Sequence, residues 1–69
     1  MKKEALTTRQ KECLDFIKKF RTRTGFIPTY KEIAEGLKTQ ESTAYMICKR
    51  TAAKGWLKLS RSPRAIIIL

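Results

Sequence analysis

Side chains that can hydrogen bond to nucleic-acid bases or pair with phosphates are concentrated between residues 40 and 50. Amide and hydroxyl groups can hydrogen bond to base edges, and cations can pair with backbone phosphates. The groups in this stretch are those of Gln40, Ser42, Thr43, Tyr45 and Met46, followed by the cations Lys49 and Arg50. We therefore expect these residues to contact DNA, the first ones at base edges and the cations at phosphates. The alternative is that Tyr45 and Met46 pack against a neighbouring element.

Metal or covalent chemistry has little support in the sequence. The two cysteines, Cys13 and Cys48, lie far apart without a CxxC motif, and the chain has no histidine. A zinc site needs more ligands than these cysteines supply. Both fall on apolar faces of predicted helices, so we interpret them as reduced core thiols. No activated nucleophile can be argued from the Thr, Ser and Lys residues, so we expect no cofactor, no metal and no enzyme activity.

The charge of the chain favours a polyanionic partner. Sixteen Lys and Arg residues oppose six Asp and Glu residues, which gives a net charge of +10. No acidic residue follows Glu41. The cations after that point are Lys49, Arg50, Lys54, Lys58, Arg61 and Arg64. Such one-sided charge suits nucleic acid. Charge alone leaves open a merely soluble basic surface or an RNA-binding protein.

The elements that must position these residues begin with a supporting helix over about residues 8–22. Thr7 and Gln10 fit a capping box, in which a Thr N-cap and a Gln at N3 satisfy each other's backbone N–H groups. Gly25 suits the end of the helix, because glycine accepts the left-handed conformation. Apolar residues recur at helical spacing at Cys13, Leu14, Phe16, Ile17 and Phe20. We expect this stripe to be core.

A short second helix is predicted over about residues 30–37. A second capping box, Thr29-x-x-Glu32, marks its start, and Gly36 weakens its last turn. Residues 38–41 are then expected to form a polar turn that faces solvent. Thr29, at the start of this helix, joins the residues that we expect to contact DNA.

The third helix is expected to run from Glu41 or Ser42 to Lys54. Its apolar face consists of small or weakly apolar residues at helical spacing, namely Ala44, Ile47, Cys48, Thr51 and Ala52. Such residues permit close packing against other helices. The opposite face carries the candidate DNA contacts. Helices two and three joined by a tight turn form a helix-turn-helix unit, whose second helix can lie in the major groove.

The rest of the chain is predicted to form a basic β-hairpin, because the apolar period shortens to that of a strand. The strands are expected at Trp56–Leu59 and Ala65–Leu69, on either side of the turn Ser60–Arg64. Arg61 and Arg64 in this turn are expected to contact backbone phosphate or to enter the minor groove. The alternative is a solvated loop without a contact.

The run Ile66–Leu69 is apolar on both faces of a terminal strand. One face is expected to pack on the helices. The other could be covered by Trp56, by a second protomer or by residues outside this sequence.

Nothing in the sequence predicts a membrane segment or a secretion signal. No stretch approaches the roughly 20 apolar residues of a transmembrane helix. The N-terminal MKKEALTTRQ has no apolar segment behind its lysines, as a signal peptide would. We therefore expect a cytoplasmic, nucleoid-associated protein, and at 69 residues a single domain over residues 1–69.

Several segments together resemble the N-terminal DNA-binding domain of LexA-type repressors. They are Leu6-Thr7 with Arg9-Gln10, then Thr24-Gly25, then Pro28-Thr29-x-x-Glu32-Ile33-Ala34 with Leu37, and Lys54-Gly55 before an apolar strand. They follow in the family's order and at nearly its spacing over about residues 5–69. The resemblance implies a mainly α fold with a small β part: a winged helix-turn-helix whose three helices precede a two-stranded antiparallel wing. It also implies binding to operator DNA, usually as a dimer.

The chain also departs from this family. The turn before the third helix is one residue shorter and lacks the Gly-Phe that follows the leucine. Cys48 and Thr51 stand where leucines are expected. The base-reading positions differ as well, so we expect a recognised sequence unlike the family's usual operator. LexA-type repressors carry a C-terminal domain that dimerises and cleaves itself with a Ser-Lys dyad. This chain ends at Leu69, so we do not expect self-cleavage.

Three functions remain open at this point. The first is a sequence-specific double-stranded DNA-binding regulator, expected to repress a promoter as a homodimer on paired half-sites, with a mobile-element or phage origin. The second is a winged-helix adaptor that binds a host regulator or a replication protein, favoured by the apolar run Ile66–Leu69. The third is non-specific nucleic-acid or RNA binding driven by the charge of +10. The sequence shows only scattered aromatic residues and no RNA-binding motif.

Overall fold

Three helices lead into a two-stranded antiparallel sheet in the computed structural model, which describes residues 4–59 and 66–69. The helices are α1 (Thr8–Thr24), α2 (Tyr30–Leu37) and α3 (Glu41–Ala53), and the strands are β1 (Leu57–Leu59) and β2 (Ile66–Ile68). This is the predicted winged helix-turn-helix, mainly α with a small β part. No helix in the described part of the chain is long and apolar enough to cross a membrane.

Both predicted capping boxes are present. Thr7 Oγ1 accepts a hydrogen bond from the Gln10 N–H at 3.3 Å, and Gln10 Oε1 accepts one from the Thr7 N–H at 3.1 Å. Thr29 and Glu32 exchange the same two hydrogen bonds at 3.2 and 2.8 Å. These side chains satisfy backbone N–H groups that the start of a helix leaves unpaired. The sequence therefore fixes where α1 and α2 begin.

Two left-handed residues end the first two helices. α1 continues to Thr24 rather than stopping near residue 22, and Gly25 then takes φ 80°. At the end of α2, Lys38 takes φ 56°, which is uncommon for a residue with a Cβ atom. The Thr39 N–H donates to the Ala34 carbonyl at 2.9 Å, so a carbonyl at the helix end is still paired. A lysine thus occupies a conformation that glycine would adopt more easily.

The core lies where the three helices meet. Side chains from all of them are 0% exposed there, among them Cys13, Ile17, Ile33, Ala44 and Cys48. The small side chains of α3 let this helix approach its neighbours closely, as predicted. Thr51 of α3 is also 0% exposed, and its hydroxyl donates to the Ile47 carbonyl at 2.8 Å. This bond satisfies a buried polar group that would otherwise destabilise the core.

The hairpin closes the core from one side. β1 and β2 pair so that Lys58 lies opposite Ile67 and Leu59 lies opposite Ile66. Leu57 and Ile66 are each 2% exposed and belong to the core, whereas Ile67 is 51% exposed. One face of the sheet therefore packs on the helices, and the other faces outward with Lys58 and Ile67.

The strands are shorter than predicted, since Trp56 precedes β1 and Leu69 follows β2. These two residues still pair, because the Leu69 N–H donates to the Trp56 carbonyl at 3.2 Å. The Trp56 indole N–H donates to the Glu4 carbonyl at 2.6 Å. Trp56 therefore lies against the N-terminal segment and leaves Ile67 half exposed.

Candidate nucleic-acid interface

The α3 helix has a buried side and an exposed side of different chemistry. Ala44, Cys48 and Thr51 face the core and are 0% exposed. The residues on the exposed side are Thr43, Tyr45, Met46, Lys49 and Arg50. They combine a hydroxyl, an aromatic ring, a thioether and cations in one helix surface. The structure therefore brings together the predicted contacts of α3, and we call this surface the α3 outer face.

A shallow groove overlaps the α3 outer face and extends onto the neighbouring Ser42 and Ile47. It is lined by Ser42, Thr43, Met46, Ile47 and Arg50. Hydroxyl groups can hydrogen bond to base edges, apolar groups can contact the thymine methyl, and a guanidinium can bind guanine or phosphate. The groove thus presents several kinds of group that read DNA within one helix.

Tyr45 is both exposed and packed. Its side chain is 43% exposed, and its ring lies 5.1 Å from that of Tyr30, between centroids, with the planes at 85°. Burial raises the pKa of Tyr30, so its hydroxyl, already protonated near neutral pH, keeps its proton to a still higher pH. Sequence reasoning missed Tyr30, because the contact depends on how α2 crosses α3. The alternative that Tyr45 packs against a neighbouring element is therefore confirmed, and its contact with DNA stays a prediction that its exposed surface leaves room for.

Gln40 and Thr29 stand at the N-termini of α3 and α2. Gln40 is the N-cap residue of α3, and its exposed side chain makes no capping hydrogen bond to the described backbone. Its amide is therefore available to a ligand. Thr29 is half-buried, and its Oγ1 accepts from the Glu32 N–H at 3.2 Å. The turn between the helices ends at Gln40, because α3 begins at Glu41, the earlier of its two predicted starts.

The end of α3 is tied to the N-terminal part of the chain. Lys54 Nζ donates to Gln10 Oε1 at 2.7 Å, and the Lys54 carbonyl accepts from the Glu4 N–H at 3.0 Å. The same Gln10 oxygen also accepts from the Thr7 N–H at the start of α1. It therefore binds both the start of α1 and the residue that ends α3. These bonds hold the direction of α3 relative to α1.

Arg9 makes a similar link between α1 and α2. Its Nη2 donates to the Leu37 carbonyl at 2.8 Å, and its Nη1 pairs with Glu12 at 3.0 Å. The first contact joins the start of α1 to the last residue of α2. The last carbonyls of a helix have no partner within it, and Arg9 donates to one of those of α2. Arg9 therefore stabilises the end of α2 in the helix-turn-helix unit.

The predicted wing contacts Arg61 and Arg64 lie outside the described residues. The strands that flank them, β1 and β2, are described and pair in an antiparallel hairpin. The role of Arg61 and Arg64 in binding therefore stays a prediction from the sequence. The individual DNA contacts of the α3 outer face stay predictions as well.

Comparison with known protein families agrees with this architecture. A family model described as the LexA DNA binding domain matches residues 3–65. The chain belongs to the LexA DNA-binding domain family. As a member it is a DNA-binding domain of the winged helix-turn-helix class, in which α2 and α3 form the helix-turn-helix unit and β1 with β2 form the wing. The search of curated proteins found no match to the chain.

Some of the residues of this LexA-type domain that depart from the family pattern lie at the end of α2 and on the buried side of α3. Lys38 fills the left-handed position after α2, where the family's glycine is missing. Cys48 and Thr51 occupy the buried side of α3 in place of leucines. Both changes lie on the side of α3 that packs in the core or at the end of α2 that leads into it, and not on the α3 outer face.

Proposed function

We propose that this LexA-type domain is a transcriptional repressor that reads the major groove with the α3 outer face. The observation that carries the proposal is the division of α3 into a fully buried side and an exposed side rich in DNA-binding groups. The diameter of an α-helix fits the width of the major groove, and the 13 residues of α3 give it several turns along which to make contacts. Gln40, Ser42, Thr43, Tyr45 and Met46 would meet base edges, and Lys49 and Arg50 would meet phosphates.

The wing would add contacts on the neighbouring stretch of DNA. Arg61 and Arg64 between β1 and β2 would pair with backbone phosphate or enter the minor groove. Thr29 at the start of α2 would contact a phosphate beside the recognition helix. All these contacts fit a chain whose net charge is +10.

Repression would follow from occupancy of a promoter by two protomers on paired half-sites. A single α3 helix and wing offer few base contacts, so monomeric binding would be weak at physiological salt. Two-fold pairing on a palindromic site raises the affinity without new contacts within one protomer. We place the protein with its DNA in the cytoplasm.

Chemical protection of the bound duplex tests the groove assignment. The α3 outer face in the major groove predicts that guanine N7 is shielded from methylation, because N7 lies in that groove. A wing in the minor groove predicts shielding of adenine N3 next to that site. Guanine N7 that stays fully reactive in the complex would contradict major-groove reading by α3.

A second candidate function is a winged-helix adaptor for another protein. The observation in its favour is that Ile67 and Leu69 are 51% and 50% exposed at the end of the chain. Light scattering after size exclusion separates the explanations of this surface. A stable homodimer that dissociates on Ile67→Lys would assign the surface to self-association and remove this support for the adaptor.

A further inference from the structure

Two buried thiols face each other across the contact between α1 and α3. Cys13 Sγ lies 3.3 Å from Cys48 Sγ, and both residues are 0% exposed. Each is a free cysteine, as the sequence predicted. Their positions differ by 35 in the sequence, so only the fold brings them together. The pair joins the supporting helix to the helix that carries the candidate DNA contacts.

The distance between the sulfurs suits bond formation after a small movement. A disulfide requires the sulfurs to be about 2.0 Å apart. The two atoms must therefore approach by little more than an ångström from the 3.3 Å that separates them. Rotation about the side-chain bonds supplies part of this, and a slight approach of α1 and α3 supplies the rest. In a close-packed core, such an approach also moves the neighbouring side chains.

The hydrogen bond between the thiols prepares one of them for reaction. With Cys48 as the donor, this bond lowers the pKa of Cys13 more than burial raises it. The same bond and burial raise the pKa of Cys48, which keeps its proton. Thiolates react with oxidants, whereas thiols do not. Of the two, Cys13 is therefore the thiol that ionises more readily and serves as the nucleophile toward an oxidant, and Cys48 is the partner that completes the bond.

We propose that Cys13 and Cys48 form a reversible disulfide that links α1 to α3 and weakens DNA binding when the protein meets an oxidant. With hydrogen peroxide, the Cys13 thiolate attacks one oxygen, the O–O bond breaks, and Cys13 becomes a sulfenic acid as hydroxide leaves and takes a proton from solvent to give the first water. Cys48 then attacks the Cys13 sulfur, the S–O bond breaks, and the second water takes up the thiol proton. A dithiol reductant restores both thiols by exchange.

The effect on DNA binding follows from the place of Cys48 in α3. Met46 and Lys49 of the α3 outer face lie within one turn of it. Pulling Cys48 toward α1 withdraws these side chains from base edges and phosphates, and hydrogen bonds weaken steeply once their geometry is lost. This part rests on the proposed function, whereas the cross-link itself does not.

Intact mass after peroxide treatment tests the cross-link without DNA. The wild-type chain is exposed to hydrogen peroxide, quenched, unfolded and treated with a thiol alkylating reagent. We expect a monomer that has lost the mass of two hydrogen atoms and takes up no alkyl group. Its thermal midpoint should rise by roughly 10 °C and return on reduction, since the bond closes a long loop. Two alkylated thiols, oxygen atoms added to the cysteines or a disulfide-linked dimer would overturn the proposal, whereas oxygen on the exposed Met46 would not bear on it.

Binding of the oxidised monomer to a duplex selected by the reduced protein tests the switch. We expect an affinity about ten-fold lower, comparable to the loss of one base contact, with full recovery after reduction. Cys13→Ser and Cys48→Ser serve as controls, because neither can form the disulfide: any effect of oxidising the exposed Met46 appears in them as well, and only the loss beyond theirs, restored by the dithiol, belongs to the cross-link. A cross-linked wild-type protein with unchanged affinity would overturn the switch while the disulfide stands. Failure of the reduced protein to select any duplex would count against the proposed function instead.

Discussion

The rings of Tyr30 and Tyr45 meet edge to face, with centroids 5.1 Å apart and planes at 85°. The contact joins the first residue of α2 to the α3 outer face. Perpendicular rings are a favourable arrangement, because the positive edge of one ring meets the negative face of the other. Tyr45 is therefore held in place while 43% of its surface stays open to a ligand. A side chain fixed in this way would lose less entropy on binding DNA.

Replacing Tyr30 and Tyr45 by leucine, singly and together, tests this relationship. We expect a coupling free energy of about 0.5–1.5 kcal/mol between the two positions, because each single change removes the same ring contact. The free energy of unfolding from urea titration gives the value for each variant. Additive effects of the single changes would show that the rings do not stabilise each other.

Thr29 and Thr7 are both threonine N-caps of capping boxes, with Glu32 and Gln10 as the respective partners, which makes them a comparable pair. Thr29→Ala and Thr7→Ala should each lower the free energy of unfolding by about 1 kcal/mol, through loss of the cap. Fluorescence anisotropy with a selected duplex then separates capping from DNA contact. If Thr29 binds a phosphate, Thr29→Ala weakens binding more than Thr7→Ala does. Equal affinities of the two variants would restrict Thr29 to its capping role.

Local rules of the chain predicted the start of each helix and the buried side of α3. The capping boxes at Thr7 and Thr29 depend on residues within one turn, so the sequence alone reveals them. The buried Ala44 and Cys48 follow from helical spacing in the same way. The predicted end of α1, near residue 22, is too early, because the helix continues to Thr24 and ends directly before Gly25.

Gly36 has a packing role that helix propensity does not show. A Cβ atom at this position would overlap the ring of Phe16 from α1. Gly36→Ala should therefore lower the free energy of unfolding by about 1 kcal/mol, although alanine favours a helix, since overpacking outweighs propensity. Urea unfolding measures the change, with the exposed Glu35→Ala as a control within about 0.5 kcal/mol of wild type. If Gly36→Ala stabilised the protein while Phe16 is kept, the close contact between residue 36 and the Phe16 ring would be contradicted.

Contacts between elements could not be predicted from one sequence. The pairs Tyr30–Tyr45, Gly36–Phe16 and Cys13–Cys48 each depend on how two helices cross. Backbone conformation at Lys38 is a further case, because its left-handed φ of 56° is imposed by the path from α2 to α3 and not by the lysine itself. The residues that support the α3 outer face therefore emerged from the structure, whereas the outer face itself was predicted.

Lys49 and Lys19 are exposed lysines on different helices, one on the α3 outer face and one on α1. Lys49→Ala should weaken binding to every duplex and lower the slope of log affinity against log salt by about 1, because one phosphate contact is lost. Lys19→Ala should leave the slope of the wild-type protein unchanged. Titrations over a series of salt concentrations measure both. If Lys49→Ala and Lys19→Ala lowered the slope equally, the effect would come from overall charge and not from a phosphate contact of Lys49.

Sequence-specific reading by the α3 outer face is tested most directly by selecting bound duplexes from a random library at about 150 mM salt, where non-specific contacts are weak. We expect the wild-type protein to enrich one motif, repeated as paired half-sites. Thr43→Ala should change the preference at one base position of each half-site. Thr22→Ala is the matched control, because its exposed hydroxyl donates to the Lys18 carbonyl of α1 at 2.9 Å, away from α3. A wild-type selection that enriches no motif would contradict sequence-specific binding.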